Sequence, residues 1–229
     1  MTEVFLPPPG PPQFLALDAE LPLRVYERRL PHWRQPGATY FVTFRLGDSL
    51  PQEKLRLLRR IRTDWSKKNP EPQEESRWVE LARDISTQAE KWLDEGVGRC
   101  VLREPGVAGV LARVMHHLQN EYYFLSCYCV MPNHCHVVVR PYPGHELEKI
   151  LGLWKGNSAV EINRHLGRSG ALWAQESYDR IVRDAEHLFR VVQYIGNNPR
   201  KAQLKREQWI RWIDPSWETA GWGFRDPEK

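Results

Sequence analysis

Two apolar runs parted by one tight turn dominate the middle of this sequence. Tyr122–Val130 and His134–Arg140 are rich in aromatic, β-branched and cysteine residues, and only Met131-Pro-Asn133 separates them. So short a connection reads as a reversal between antiparallel neighbours of one sheet. Every other element has to be placed around that pair.

A further strand is predicted at Tyr40-Phe-Val-Thr-Phe-Arg-Leu46, and a fourth at Ala171–Val182. Helical spacing of apolar residues predicts helices over Pro105–Leu118, Glu146–Leu166 and Asp184–Asn198, the last stopped by Pro199. Leu55, Leu58, Ile61 and Trp65 predict one more helix, which Asp48 or Ser49 could cap. Trp78, Leu81, Ile85 and Trp92 predict its partner. The order is strand, insert, helix, strand, strand, helix, strand, helix. That is an α+β arrangement: a ferredoxin-like, RRM-like antiparallel sheet with helices on its faces. A helical hairpin is inserted at about 51–98, and a further helix is added towards the C-terminus. No internal repeat is visible.

The expected boundaries are a Pro-rich arm at 1–36, a main domain at 37–204 and a Trp-rich tail at 205–229. Eight of the 18 prolines fall in the arm, so it is expected to be extended and unpacked. The tail holds Trp209, Trp212, Trp217 and Trp222. Trp209 and Trp212 fit one helical turn. Trp217 and Trp222 read as part of a docked tail, with stacking on unpaired bases as the alternative.

At 229 residues, with 41% hydrophobic and 27% charged side chains, the chain can bury a core. No run is long and apolar enough to span a membrane, and the first residues do not read as a secretory leader, so a cytoplasmic protein is expected. Four cysteines without a Cys-x-x-Cys pair do not make a disulfide scaffold. Cys127, Cys129 and Cys135 read as small core hydrophobes, against a weaker zinc alternative. The formal charge of +4 lies wholly in 99–229, with 18 basic against 14 acidic residues, while 1–98 holds 15 of each. Residues 149–211 hold 12 basic against 6 acidic, a local excess that suits a polyanion or a solvated surface.

The chemistry-bearing residues are few. Side chains two apart on a strand share a face, so His134 and His136 project together while Cys135, Val137 and Val139 face away. Such a pair can grip a divalent metal, or it can simply be exposed. Tyr194 and Asn198, four apart, share a helix face. A phenol can attack phosphorus and an amide oxygen can ligate a metal; packing and a helix stop are the plain alternatives. Gly196 between them weakens the helix locally, or is merely tolerated.

Four ordered stretches resemble the REP-associated tyrosine transposases, relatives of the single-tyrosine enzymes in the HUH endonuclease superfamily. They are Leu30-Pro-His-Trp leading into Pro36–Leu46, Met131-Pro-Asn-His-Cys-His136, Trp154-Lys-Gly-Asn-Ser-Ala with Ile162-Asn-Arg, and Tyr178–Asp184 with Tyr194-Ile-x-Asn-Asn-Pro-x-Lys-Ala202. They span about residues 28–204. The resemblance implies His134 and His136 as metal ligands, Asn198 as a third, and Tyr194 as nucleophile. The hydrophobic middle position of the metal motif is Cys135 here, a tolerable departure. It implies Mg²⁺ or Mn²⁺, a 5′-phosphotyrosine intermediate and hairpin DNA with single-stranded parts as substrate. It also implies a monomer, although a dimer stays open. Lys155, Arg180, Arg183, Arg200 and Lys201 are the candidate DNA contacts, and Arg56, Arg59, Arg60 and Arg62 of the insert could touch a hairpin stem or pair with the acidic neighbouring helix. A hairpin binder without turnover and a water-using hydrolase are the competing functions.

Overall fold

The computed structural model describes residues 10–27, 31–70 and 75–225. Seven strands and six helices are named here in chain order. β1 (Arg24–Glu27) and β2 (Pro31–Arg34) pair as a small antiparallel ribbon. β3 (Tyr40–Leu46), β4 (Tyr123–Val130), β5 (His134–Pro141), β6 (Trp173–Ile181) and β7 (Ile210–Ile213) form one sheet in the order β6-β3-β5-β4-β7, with every neighbour antiparallel. Without β7 this is the split β-α-β arrangement expected of a ferredoxin-like fold.

Alternation sorts the sheet's two faces. Val42, Phe44, Cys135, Val137 and Val139 meet α3 (Pro105–His117) and α4 (Leu147–His165) on one side. Phe41, Cys127, Cys129 and Val138 meet α5 (Ala185–Lys201) and α6 (Pro215–Thr219) on the other. A bulge between Leu125 and Cys127 switches the parity of β4, so that Leu125 and Tyr128 both face the first side. All four cysteines are free and buried, and burial pushes the thiols of Cys127, Cys129 and Cys135 up. They pack as hydrophobes, as the sequence reads them.

The insert is α1 (Gln52–Lys68) and α2 (Glu75–Leu93). Leu58, Leu81, Ile85 and Trp92 form its own small core, which closes against Tyr178 of β6. Trp78's side chain lies outside the described residues. Neither expected cap is used. Asp48 accepts a bond from the Arg99 amide and Ser49 donates to the Leu46 carbonyl, leaving Pro51 at the head of α1.

Several expectations are corrected. The described part of the arm is packed rather than loose: Trp33 joins the main core and Gln35 is buried against Tyr40. The ribbon is possible because the residues around Pro31 pair only with β1, where a missing amide is tolerated. Trp209 and Trp212 share no helix; Trp212 stands on β7, stacked near Tyr128. Edge-strand pairing with β4 wins over helical spacing there. Pro199 lies inside α5, which runs on to Lys201. Trp217 and Trp222 are fully buried, and Trp217 donates to the Pro12 carbonyl, so the tail is docked. No helix among the described residues is long and apolar enough to cross a membrane.

Candidate metal and tyrosine centre

β5 carries the histidine pair and α5 crosses its face. His134 and His136 are 1% and 0% exposed, so the surface alternative for them is excluded. Their Nε2 atoms lie 3.0 Å apart. Asn133 Nδ2 donates to the carbonyls of Leu93 and Val97, which fixes its oxygen towards His134 Nδ1 at 2.7 Å. An amide oxygen only accepts, so the His134 proton sits on Nδ1 and Nε2 keeps its lone pair. Thr43, directly across from His136 in the sheet, holds His136 Nδ1 at 2.8 Å. Burial pushes His134 down to about 3, and burial with the neighbouring imidazole pushes His136 well below its ordinary value. Both rings are therefore neutral at ordinary pH, the form in which imidazole ligates a metal.

Asn198 completes the cluster. It is 1% exposed, its Nδ2 lies 2.9 Å from His136 Nε2, and its Oδ1 is buried without a partner among the described residues. With the amide turned over, one oxygen joins two nitrogens pointing at the same spot. An amide oxygen in that orientation beside two imidazole nitrogens is a donor set that fits a divalent cation. Among the described residues no group of three or more His, Cys, Asp or Glu side chains is placed to hold a metal. Any metal here would rest on two imidazoles and an amide.

Tyr194 lies one turn before Asn198, and its ring meets that of His136 edge-on with centroids 5.3 Å apart. Its hydroxyl donates to Glu90 Oε2 at 3.1 Å. Glu90 stands on α2, so the inserted hairpin supplies a carboxylate to this centre. Burial, with the nearby charges of Glu90 and Asp94, raises the phenol far above its usual value. Burial also raises Glu90, partly offset by Arg180. Lys201 pairs with Asp94 at 3.2 Å and hangs over the Tyr194 ring at 5.8 Å. Arg180 lies over Phe41 at 4.9 Å.

The expected residues divide as follows. His134, His136, Asn198 and Tyr194 come together, with Arg180 and Lys201 around them. Arg183 and Arg200 are exposed. Lys155 is on the other side of the sheet, where its Nζ reaches Ser177 Oγ at 2.6 Å. The sequence reading leaves Glu90, Thr43 and Arg45 out of the site. Polar residues at alternate positions of an otherwise apolar strand, Thr43 and Arg45, are a legible signal; Glu90 has none. Gly196 has a steric role: a Cβ there would come within 2.7 Å of the Phe224 ring. The tail is thereby pressed onto the helix that carries Tyr194, where the Gly223 carbonyl also accepts from Gln193 Nε2.

Residues 99–198 match the model of the IS200-like transposase family. A search of curated proteins returns no match. Among solved structures, the chain is similar to a REP-associated tyrosine transposase bound to a REP hairpin. The two share 14% identity over 77% of this chain and 72% of that one, at a TM-score of 0.37.

Proposed function

We propose that this chain, whose residues 99–198 match the IS200-like transposase family, cuts and rejoins single-stranded DNA through a covalent bond to Tyr194. The observation that carries this reading is the convergence of His134, His136, Asn198 and Tyr194 on one face of the sheet. One chain can supply all four, and a monomer is the form that the resemblance implies. The choice of palindromic hairpin DNA follows the resemblance of the four sequence stretches to the REP-associated transposases.

His134 Nε2, His136 Nε2 and Asn198 Oδ1 would hold Mg²⁺ or Mn²⁺, which when bound would polarise the scissile phosphate and stabilise charge building on it. Asn133 and Thr43 orient the two rings from behind. The Tyr194 oxygen attacks phosphorus, the bond to the 3′ oxygen breaks, and that oxygen takes a proton from water so that the strand leaves with a 3′-hydroxyl. The 5′-phosphotyrosine so formed is a phosphodiester still, so a later 3′-hydroxyl can reverse the step and rejoin strands. The phenol needs a proton acceptor, and Glu90 is in hydrogen-bond reach of it. Arg180 and Lys201, close to the ring, would meet the DNA backbone.

A denaturing gel tests this directly. Labelled hairpin DNA from palindromes flanking the gene is incubated with the protein and Mn²⁺ or Mg²⁺. The expected result is a protein–DNA adduct that needs metal and disappears in Tyr194→Phe. Hairpin binding without adduct or cleavage would leave a binder without turnover. Cleavage that survives Tyr194→Phe would make the enzyme a water-using nuclease.

A further inference from the structure

Arg45 poses a problem of its own. It is 5% exposed, and no carboxylate among the described residues pairs with it. Its NH1 atom donates to the Leu46 carbonyl at 3.3 Å and to Ser49 Oγ at 3.2 Å, and it bonds the Tyr178 hydroxyl. Its Nε is buried with no partner among the described residues. A guanidinium so withdrawn from water, with only neutral partners, is costly unless an anion completes it.

Arg45 also lines a cleft of about 600 Å³ between α1 and the β3–β6 edge, within the size range of ligand pockets. Arg59 and Arg62 stand on its α1 wall, and among the described residues the only acidic one lining it is Glu176. The rest is largely apolar or aromatic: Leu55, Leu58 and Tyr178. Three cations beside an aromatic and an aliphatic wall match the two halves of a nucleotide, phosphate and base. A duplex has no unstacked base to place against such a wall.

The cleft also neighbours the tyrosine centre along the sheet. Arg45 is directly opposite His134 in the sheet, and Thr43 is opposite both His136 and Tyr178. Opposed side chains are about 4.5–5.5 Å apart at Cβ. One step along β3 thus separates the row that holds Arg45 and His134 from the row that holds Tyr178 and His136.

We propose that this cleft binds one unpaired nucleotide of the DNA strand beside the cleavage point, with its phosphate on Arg45, Arg59 and Arg62 and its base against Tyr178. The inserted α1–α2 hairpin is then a strand clamp, formed where it closes on β6. The inference rests on the DNA-acting reading above, and its test is arranged to fail separately.

Binding of fluorescein-labelled, random-sequence single-stranded DNA is followed by anisotropy without metal. Arg59→Glu with Arg62→Glu is expected to weaken it about tenfold or more, and to flatten the salt dependence by about 0.7 for each phosphate that is no longer neutralised. Arg56→Glu with Arg60→Glu makes the same charge change on the same helix, at positions that do not line the cleft, and is expected to cost much less. Equal losses in the two variants overturn the cleft, as does a wild type that does not bind this DNA. Photocrosslinking with 5-bromouracil DNA is expected to label the 173–181 segment that carries Tyr178; crosslinks confined elsewhere overturn it. A wild type that forms the Tyr194 adduct, with binding unchanged in the Arg59/Arg62 variant, keeps the transferase and sinks the cleft. Cleft-dependent binding with no adduct keeps the cleft and sinks the transferase.

Discussion

The molecule holds two buried histidine sites whose physics is opposite. On β5, His134 and His136 hydrogen-bond only to neutral groups, and burial, with the charges of Arg180 and Lys201 near His136, drives both towards the unprotonated form. At the edge, His32 of β2 lies 2.7 Å from Asp179 of β6, and Arg34 closes on the same carboxylate at 2.5 Å. Burial alone would lower His32, but its hydrogen bonds to Asp179 and Glu176 overcome this and raise it to about 9. The Asp179 side chain is 1% exposed; burial would raise it, yet its two cationic partners hold it below the ordinary carboxylate value. One cluster brings two imidazole nitrogens and the Asn198 amide to a common spot. The other pairs its charges and fastens the N-terminal ribbon to β6. A buried histidine says little by itself; whether a carboxylate completes it separates a ligand from a clamp.

The largest test of that contrast is Asp179→Asn. Removing the buried carboxylate leaves Arg34 with Glu148 at 2.6 Å and His32 with Glu176 at 3.9 Å, so a loss of about 3 kcal/mol in unfolding free energy, the low end for a broken buried pair, is expected. Asn198→Ala, which deletes a side chain with one oxygen already unsatisfied, is expected to cost only about 1 kcal/mol. Urea titration of both variants checks the pair. Similar losses would mean that the tyrosine centre is as structural as the clamp.

The second test is pH. His32 has a folded value of about 9 against 6.5 when unfolded, so its contribution is complete below 6.5 and drains away as pH rises through 9. Asp179 is depressed from 3.8, so its contribution is lost on the acid side. Both shifts describe one coupling, strongest between 3.8 and 6.5. Stability is expected to fall by up to about 3 kcal/mol between pH 6.5 and 9. His32→Gln should flatten that slope, whereas His134→Gln should leave it in place. Thermal unfolding across the range decides it.

The two clusters also differ in how much of each the sequence exposes. The strand period alone sets His134 and His136 on one face, and the helix period sets Tyr194 beside Asn198, because both relations are local. The central hairpin and the two faces of the sheet follow from the same short-range patterns. The clamp joins residues 147 apart in sequence, and Pro31 beside it reads as loose chain, so nothing local marks it. β7 is hidden because Trp209 and Trp212 fit a helical turn as well as an edge strand, and the pairing with β4 decides between them. Gly196 reads as a weak point in a helix until Phe224 is seen lying on it. Glu90 belongs to the same non-local class: it comes from the insert, 104 residues from the tyrosine that it bonds.

Glu90 gives the finest test, because it is the carboxylate that the tyrosine has and the histidine pair lacks. If it accepts the Tyr194 proton, Glu90→Gln keeps the hydrogen bond and removes the acceptor, and adduct formation should slow by about 10²-fold. The sign with pH follows from its ionisation. The carboxylate is the active form and burial raises its titration, so the wild-type rate should climb through a pH above the usual carboxylate range. The Gln variant should lose that climb. Single-turnover adduct formation between about pH 4 and 8 separates this role from the simpler one of holding the hydroxyl in a resting position. A resting latch predicts the reverse outcome, with adduct formation unchanged or faster in Glu90→Gln and the pH dependence intact. In that case the carboxylate would resemble the edge clamp more than the metal centre, and the proton would have to leave by water.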